Sequence, residues 1–315
     1  MGANQRDAEA LSIIEKMIKA KPTHAEAYAN RAFIKLRAKD IVGAIKDAEM
    51  TVTLKPHLTQ VWSFLGSLHY QNGNLSEAIE ALRSAHKNES ENLALITQLG
   101  EFLRLNNKVL EAITLLEKAT ELAPKDANAW INLGVALQHG EKLAKAKITY
   151  EKALALNPKS AVAHSNLGLT LKEMGELDEA EVHYVKAIEL KPNYAEAHYN
   201  LGNTRKELKG LDEAEASYRQ AIVFKPDYAE AHYNLGVTLQ EQHKLEEAES
   251  SYSRVVGLKP DFAAAHTSLL RCLYLLDKKS LFFDKLEYLI DKGETNAVIG
   301  SLTCRSALKY GVIKP

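Results

Sequence analysis

Cysteine is nearly absent from this chain of 315 residues: Cys272 and Cys304 are the only two. Two thiols cannot complete a structural zinc site or staple a disulfide framework. The opening stretch MGANQRDAEA has no apolar core of a secretory leader, so reduced thiols and a cytoplasmic location are expected. Gly2 begins like a myristoylation signal, but Arg6 stands where Ser or Thr is required. No apolar run approaches the roughly 18 residues of a membrane helix, and no membrane partner is expected. Proline (8) and glycine (16) are scarce, which leaves little material for long irregular loops.

Charge of one sign is also missing. Lys+Arg (40) and Asp+Glu (41) cancel to a formal net charge of −1, without the basic excess or stripe of a nucleic-acid binder. Catalytic signatures are absent: there is no Walker A loop, no GxGxxG after a strand, no HExxH and no GxSxG elbow. No catalytic residue, no cofactor and no enzymatic activity are therefore expected within these residues.

What the chain has in abundance is itself. The octapeptide AEAHYNLG occupies 195–202 and recurs unchanged at 229–236, 34 positions later. That period governs most of the sequence. Prolines fall at Pro22, Pro56, Pro124, Pro158, Pro192, Pro226 and Pro260, with Ser90 at the missing beat. Alanine recurs at Ala10, Ala44, Ala78, Ala112, Ala146, Ala180, Ala214 and Ala248. A small residue recurs as Ala32, Gly66, Gly100, Gly134, Gly168, Gly202 and Gly236. Three columns in one register identify a tandem array.

The unit 127–160 shows its construction. Trp130, Leu133, Gly134 and Leu137 share one face of a first helix, A. Leu143, Ala146, Tyr150, Ala153 and Leu154 share one face of a second, B, which Pro158 stops because it lacks an amide donor and restricts its predecessor. A mid-helix glycine costs about 1 kcal/mol relative to alanine. Gly134 is therefore expected to let helix B approach closely at Ala146, small against small, burying Trp130 and Tyr150. No unit covers both its faces alone, so neighbours must stack.

These columns resemble the tetratricopeptide repeat (TPR): a large residue, Leu-Gly, then Leu, Ala, Tyr, Ala and Pro at the family's offsets. The resemblance divides the chain into a partial repeat, helix B only, at 1–24, seven tandem repeats at 25–262, and a divergent repeat with capping helices and tail at 263–315. Mild departures are Arg31, where Leu is usual, and Ser90, where Pro is usual. Residues 7–22 match a helix B alone, and Phe282 replaces the alanine column near the end, where a differently packed cap is expected. The remainder after Gly293 resembles one more helix and a tail. The family implies an all-α solenoid, a right-handed superhelix of antiparallel helix pairs.

Histidine recurs at His164, His198, His232 and His266, in the column that Tyr28, Trp62, Ile96 and Trp130 fill elsewhere. Metal ligation needs several nitrogens about 2.0–2.1 Å from one ion, whereas packed helices stand about 8–10 Å apart. These are expected to be half-buried packing residues, with no metal. The tyrosine column Tyr150, Tyr184, Tyr218 and Tyr252 is expected to be core. The acidic stretches opening helices B complement the helix dipole.

By family resemblance, helices A line a concave face through their positions 2, 5, 6, 9, 12 and 13. Position 6 holds Asn30, Phe64, Gln98, Asn132, Asn166, Asn200, Asn234 and Ser268. A row of amides can grip the backbone of an extended peptide whatever its sequence. The row resembles the asparagine ladder in the TPR superhelix of O-linked N-acetylglucosamine transferases. Tyr199, Tyr233, Asn203, Lys206 and Gln240 flank it, with Glu207 and Glu241. The implied role is a scaffold binding a protein or peptide. The alternative is the recruiting region of a larger enzyme, a glycosyltransferase of that kind or a 2-oxoglutarate/iron oxygenase. The family's clamp for chaperone C-terminal carboxylates needs Lys and Arg where Tyr199, Ala264 and Ser268 stand, so that ligand is not expected.

Overall fold

The computed structural model describes residues 2–293, and beyond them 300, 301, 303, 305, 306, 309 and 310; side chains are described from residue 6. Its contacts divide the chain into two units, Met1–Pro158 and Lys159–Pro315.

The first unit holds α1 (Gly2–Ala20), α2 (Ala25–Arg37), α3 (Ile41–Leu54), α4 (Thr59–Gln71), α5 (Leu75–Asn88), α6 (Leu93–Leu105), α7 (Val109–Leu122), α8 (Ala127–His139) and α9 (Leu143–Leu156). The second holds α10 (Ala161–Glu173), α11 (Leu177–Leu190), α12 (Ala195–Glu207), α13 (Leu211–Phe224), α14 (Ala229–Glu241), α15 (Leu245–Leu258), α16 (Ala263–Leu275) and α17 (Lys279–Asp291). Among the described residues there is no strand. Even-numbered helices from α2 are the A helices. Within each unit, each packs on the B helix that follows it, and that B helix packs on the unit's next A helix, giving a solenoid of helix pairs. At the N-terminus, the expected helix B alone is longer than the other B helices: α1 has 19 residues and α3 has 14.

Every A-to-B turn uses the same device. The second of its three linking residues has positive φ: Lys39, Gly73, Asn107, Glu141, Gly175, Lys209, His243 and Asp277. The following amide reaches back five residues, as Lys142 N does to Leu137 O at 2.9 Å, closing a Schellman-type turn. Only two of these eight residues are glycine. No repeated residue marks the position, and it is invisible in the sequence.

The B-to-A turn follows an extended residue, for example Lys55 at φ −137°, just before Pro56. Glu89 adopts the same conformation (φ −134°) before Ser90. Proline therefore favours this turn without being required for it.

The core corrects one expectation. A Cβ on Gly134 would meet Cε1 of Tyr150 at 2.5 Å, not the backbone of Ala146. Gly168, Gly202 and Gly236 likewise face Tyr184, Tyr218 and Tyr252. The glycine column is a seat for the tyrosine column, and those four rings are fully buried as expected. Trp130 is only half-buried. The alanine column itself is fully buried from Ala44 onwards.

The pair α16–α17 departs from this pattern. Leu270 and Phe282 replace the small residues, and the two backbones approach less closely. Phe282 instead sits among Tyr274, Phe283 and Tyr310, with centroids 5.4–6.3 Å away. Residues 300, 301, 303, 305, 306 and 309 are helical. Cys304 and the rest of the expected tail lie outside the described residues. Cys272 is buried, and burial pushes its thiol up to about 11, which makes it inert.

Arg31, the departure from the usual Leu, has a partner. Asp47 is buried, 3% exposed, and accepts from Arg31 Nε at 2.8 Å and Nη2 at 2.6 Å; Lys35 Nζ lies 2.8 Å away. A polar triad replaces the apolar contact there.

Candidate functional site

In the second unit the A helices α10, α12 and α14 are neighbours, and their equivalent positions line up. Thr170, Thr204 and Thr238 are fully buried, and their hydroxyls donate to the carbonyls of Asn166, Asn200 and Asn234 at 3.0, 3.0 and 2.8 Å. These bonds sit one turn behind each threonine and engage the asparagines' backbone carbonyls, not their side-chain amides. Asn166 and Asn200 are half-buried, and no hydrogen bond to either side-chain amide is recorded among the described residues.

Asn234 differs. Its Nδ2 donates to Asn203 Oδ1 at 2.8 Å and to Tyr199 Oη at 3.2 Å. Asn203 Oδ1 also accepts from Tyr218 Oη at 2.8 Å. Four side chains from α12, α13 and α14 thus form one network joining two successive repeats. Burial raises the Tyr218 hydroxyl well above its usual pKa, keeping it a donor. Tyr252 Oη meets the same need by donating to Gln240 at 3.2 Å. Tyr184 has Leu169 and Lys172 at the corresponding positions, and its buried hydroxyl has no hydrogen-bond partner.

Beside the network runs a second ladder. Lys172 Nζ lies 3.0 Å from Glu207, and Lys206 Nζ lies 3.0 Å from Glu241. Each pair joins position 12 of one A helix to position 13 of the next. Together they border a groove of about 520 Å³, which Asn203, Tyr218 and Asn234 also line. Its walls offer ammonium, carboxylate and amide groups side by side.

The sequence-derived candidates divide accordingly. Asn203, Lys206 and Asn234 line this groove; Asn166, Asn200, Tyr199, Tyr233 and Gln240 stand outside it on the same run of helices. Tyr199 packs on Tyr228 at 4.9 Å and Tyr233 on Phe262 at 5.0 Å, both half-buried. In the first unit Asn30 is exposed and Asn132 half-buried. Gln98 is held between Ser63 and Ser67 at 3.3 and 3.2 Å, and Phe64 stacks on Phe33 at 4.2 Å. Lys172, Lys209 and Tyr218 line the groove and were not anticipated. Lys172 was legible in principle, since it shares position 12 with Lys206.

The histidine column is structural. Nε2 of His198, His232 and His266 lies 2.9, 3.0 and 2.6 Å from the carbonyls of Pro192, Pro226 and Pro260, six residues back. Trp62 and Trp130 make the same bond to Pro56 and Pro124, at 2.8 and 3.0 Å. Two ring types alternate in this column because both present a ring N–H to that carbonyl. His164 Nδ1 instead lies 3.0 Å from His183 Nδ1. Among the described residues no group of three or more His, Cys, Asp or Glu could hold a metal, and no helix is long and apolar enough to cross a membrane.

Family models for tetratricopeptide repeats match residues 69–130, 127–160, 149–182, 170–209, 206–243 and 229–262. The chain is 34% identical over 90 residues to the Saccharomyces cerevisiae small glutamine-rich tetratricopeptide repeat-containing protein 2, covering 29% of this chain and 26% of that protein. The match thus spans about a quarter of the relative's length. Among solved structures, Pseudomonas aeruginosa pilF superposes with a TM-score of 0.60 at 19% identity, over 69% of this chain and 98% of its own. YrrB, described as a TPR protein with an unusual peptide-binding site, matches at 26% identity with a TM-score of 0.47, over 59% of this chain and 96% of its own. The family matches run without a gap from 69 to 262, well over half the sequence, on a solenoid of helix pairs. This chain belongs to the tetratricopeptide repeat family.

Proposed function

We propose that the chain is a protein-interaction scaffold whose A-helix face in the second unit binds an extended polypeptide. TPR proteins in general bind protein partners. One observation carries the finer reading: Asn166 and Asn200 are half-buried on adjacent A helices, with no hydrogen bond recorded to either side-chain amide among the described residues. Each offers a donor and an acceptor, the two needs of a peptide backbone. The neighbouring Lys172–Glu207 and Lys206–Glu241 pairs supply both signs of charge for side chains of the guest. Lys172 and Lys206 are already paired, so the two do not form a free cationic clamp for a terminal carboxylate. Tyr199 and Tyr233 are half-buried and pre-ordered by stacking, which suits them as anchors. No catalytic step is assigned to these residues.

The test is capture of partners by the immobilised chain, wild type against an Asn166→Ala/Asn200→Ala variant. Asn234 is left intact because its amide joins two repeats. Loss of capture at an unchanged melting temperature supports the reading. Equal capture by the two proteins removes it.

A further inference from the structure

In the first unit, successive repeats form equivalent grooves between neighbouring B helices, floored by the A helix between them. The groove between α5 and α7 encloses about 490 Å³ and is closed electrostatically from within. Arg83, at position 25 of its repeat, pairs with Glu111, at position 19 of the next, at 2.5 Å. The same two positions pair in the second unit as Arg219 and Glu247, also at 2.5 Å. One groove earlier, between α3 and α5, those positions hold Glu49 and Glu77. Two carboxylates stand where those two grooves have a cation and an anion.

A second cation is missing from the same place. Lys152 Nζ lies 4.7 Å over the ring of Trp130. The equivalent ring is Trp62, which lines the α3–α5 groove, and the residue equivalent to Lys152 is Ser84. No Lys or Arg lines this groove of about 690 Å³. Its floor also carries His69, only 8% exposed, whose buried Nδ1 has no hydrogen-bond partner among the described residues; its Nε2 stands 3.9 Å from Glu49. Glu80, on the same wall, pairs with Arg83 at 3.5 Å.

We propose that the α3–α5 groove is a binding site for an arginine side chain presented by a partner protein. The guanidinium replaces both absent cations at once: it bridges Glu49 and Glu77, lies over the half-buried face of Trp62, and donates to the His69 imidazole. A planar fork of donors that also stacks suits this setting better than an ammonium does. Apolar walls from Val52 and Leu65 shelter the pairing from solvent. This site is built from B-helix walls in the first unit, and is independent of the amide face proposed above.

The test follows the indole N–H resonances of the full chain by NMR, with Trp62 and Trp130 distinguished by a Trp130→Phe variant. The probe is a blocked arginine–glycine repeat peptide; lysine and glutamate counterparts are controls. The expected result is a saturable shift of the Trp62 signal alone, with the arginine peptide about tenfold tighter than the lysine peptide and the glutamate peptide inert. Glu49→Arg supplies the cation that Arg83 provides in the next groove and abolishes the shift while leaving the fold intact. A silent Trp62 signal, equal shifts at both indoles, or undiminished binding by Glu49→Arg would overturn the proposal.

Discussion

The ring of Tyr150 fills the space that a side chain on Gly134 would occupy: an added Cβ there lies 2.5 Å from Cε1. Tyr150 is fully buried and has no room to withdraw. Gly134→Ala gains about 1 kcal/mol of helix propensity and meets an overpacking penalty of about 1–3 kcal/mol. The expected outcome is a net loss of stability in denaturant unfolding. Gly168→Ala, where the nearest Tyr184 atom is 3.0 Å away, should lose less. Equal effects at the two sites would contradict the packing described.

Asp47 depends on its cations. Arg31→Leu restores the family's usual residue but leaves a buried carboxylate with Lys35 alone. Leaving a buried charge wholly uncompensated costs about 3–5 kcal/mol; Lys35 remains here, so the loss is smaller, and apolar replacement of both partners is close to neutral. Arg31→Leu alone should therefore lower the melting temperature, and Arg31→Leu with Asp47→Ala should recover most of it. Thermal unfolding of the three proteins decides.

Acid sensitivity follows from His232 and His86. Burial first, and Arg254 second, lower the His232 pKa, against the opposing effect of the Pro226 carbonyl. Burial and Lys118 lower that of His86. A depressed histidine pKa means that the folded state favours the neutral ring. Its contribution is complete above the ordinary value of about 6.5 and is lost as the pH falls through the folded-state pKa. Stability should decline on acidification below that value. His232→Trp should reduce the decline, because Trp supplies the same N–H to Pro226 as Trp130 does to Pro124, without titrating. Melting curves across this pH range measure it.

Glu141 holds φ of +56° in the turn between α8 and α9. A non-glycine residue there carries about 1–2 kcal/mol of strain, while glycine adds about 0.5–1 kcal/mol of unfolded-state entropy. Glu141→Gly should therefore stabilise slightly, by under about 1 kcal/mol. The same exchange at Asn107, a residue type that tolerates this conformation, should gain less.

Much of the fold was written in three columns of small residues and proline, because a 34-residue period can be satisfied only by stacked copies of one unit. The sequence showed that Gly134 was needed small but not for whom; helix periodicity places residues on a face and says nothing about which facing side chain is long. The left-handed turn residue had no signature, since Lys39, Glu141 and Lys209 adopt it under the pull of the same backbone hydrogen bond that glycine makes at Gly73.

Sequence alone determined the helix pairs, the buried tyrosines and the row of asparagines, all of which follow from local spacing. Tertiary structure decided which asparagine amides are engaged within the chain, that the histidine column serves proline carbonyls, and that Glu49 and Glu77 share a groove. Those relationships join residues 6 to 35 positions apart across packed helices, where distance and direction are set by the stacking of whole repeats.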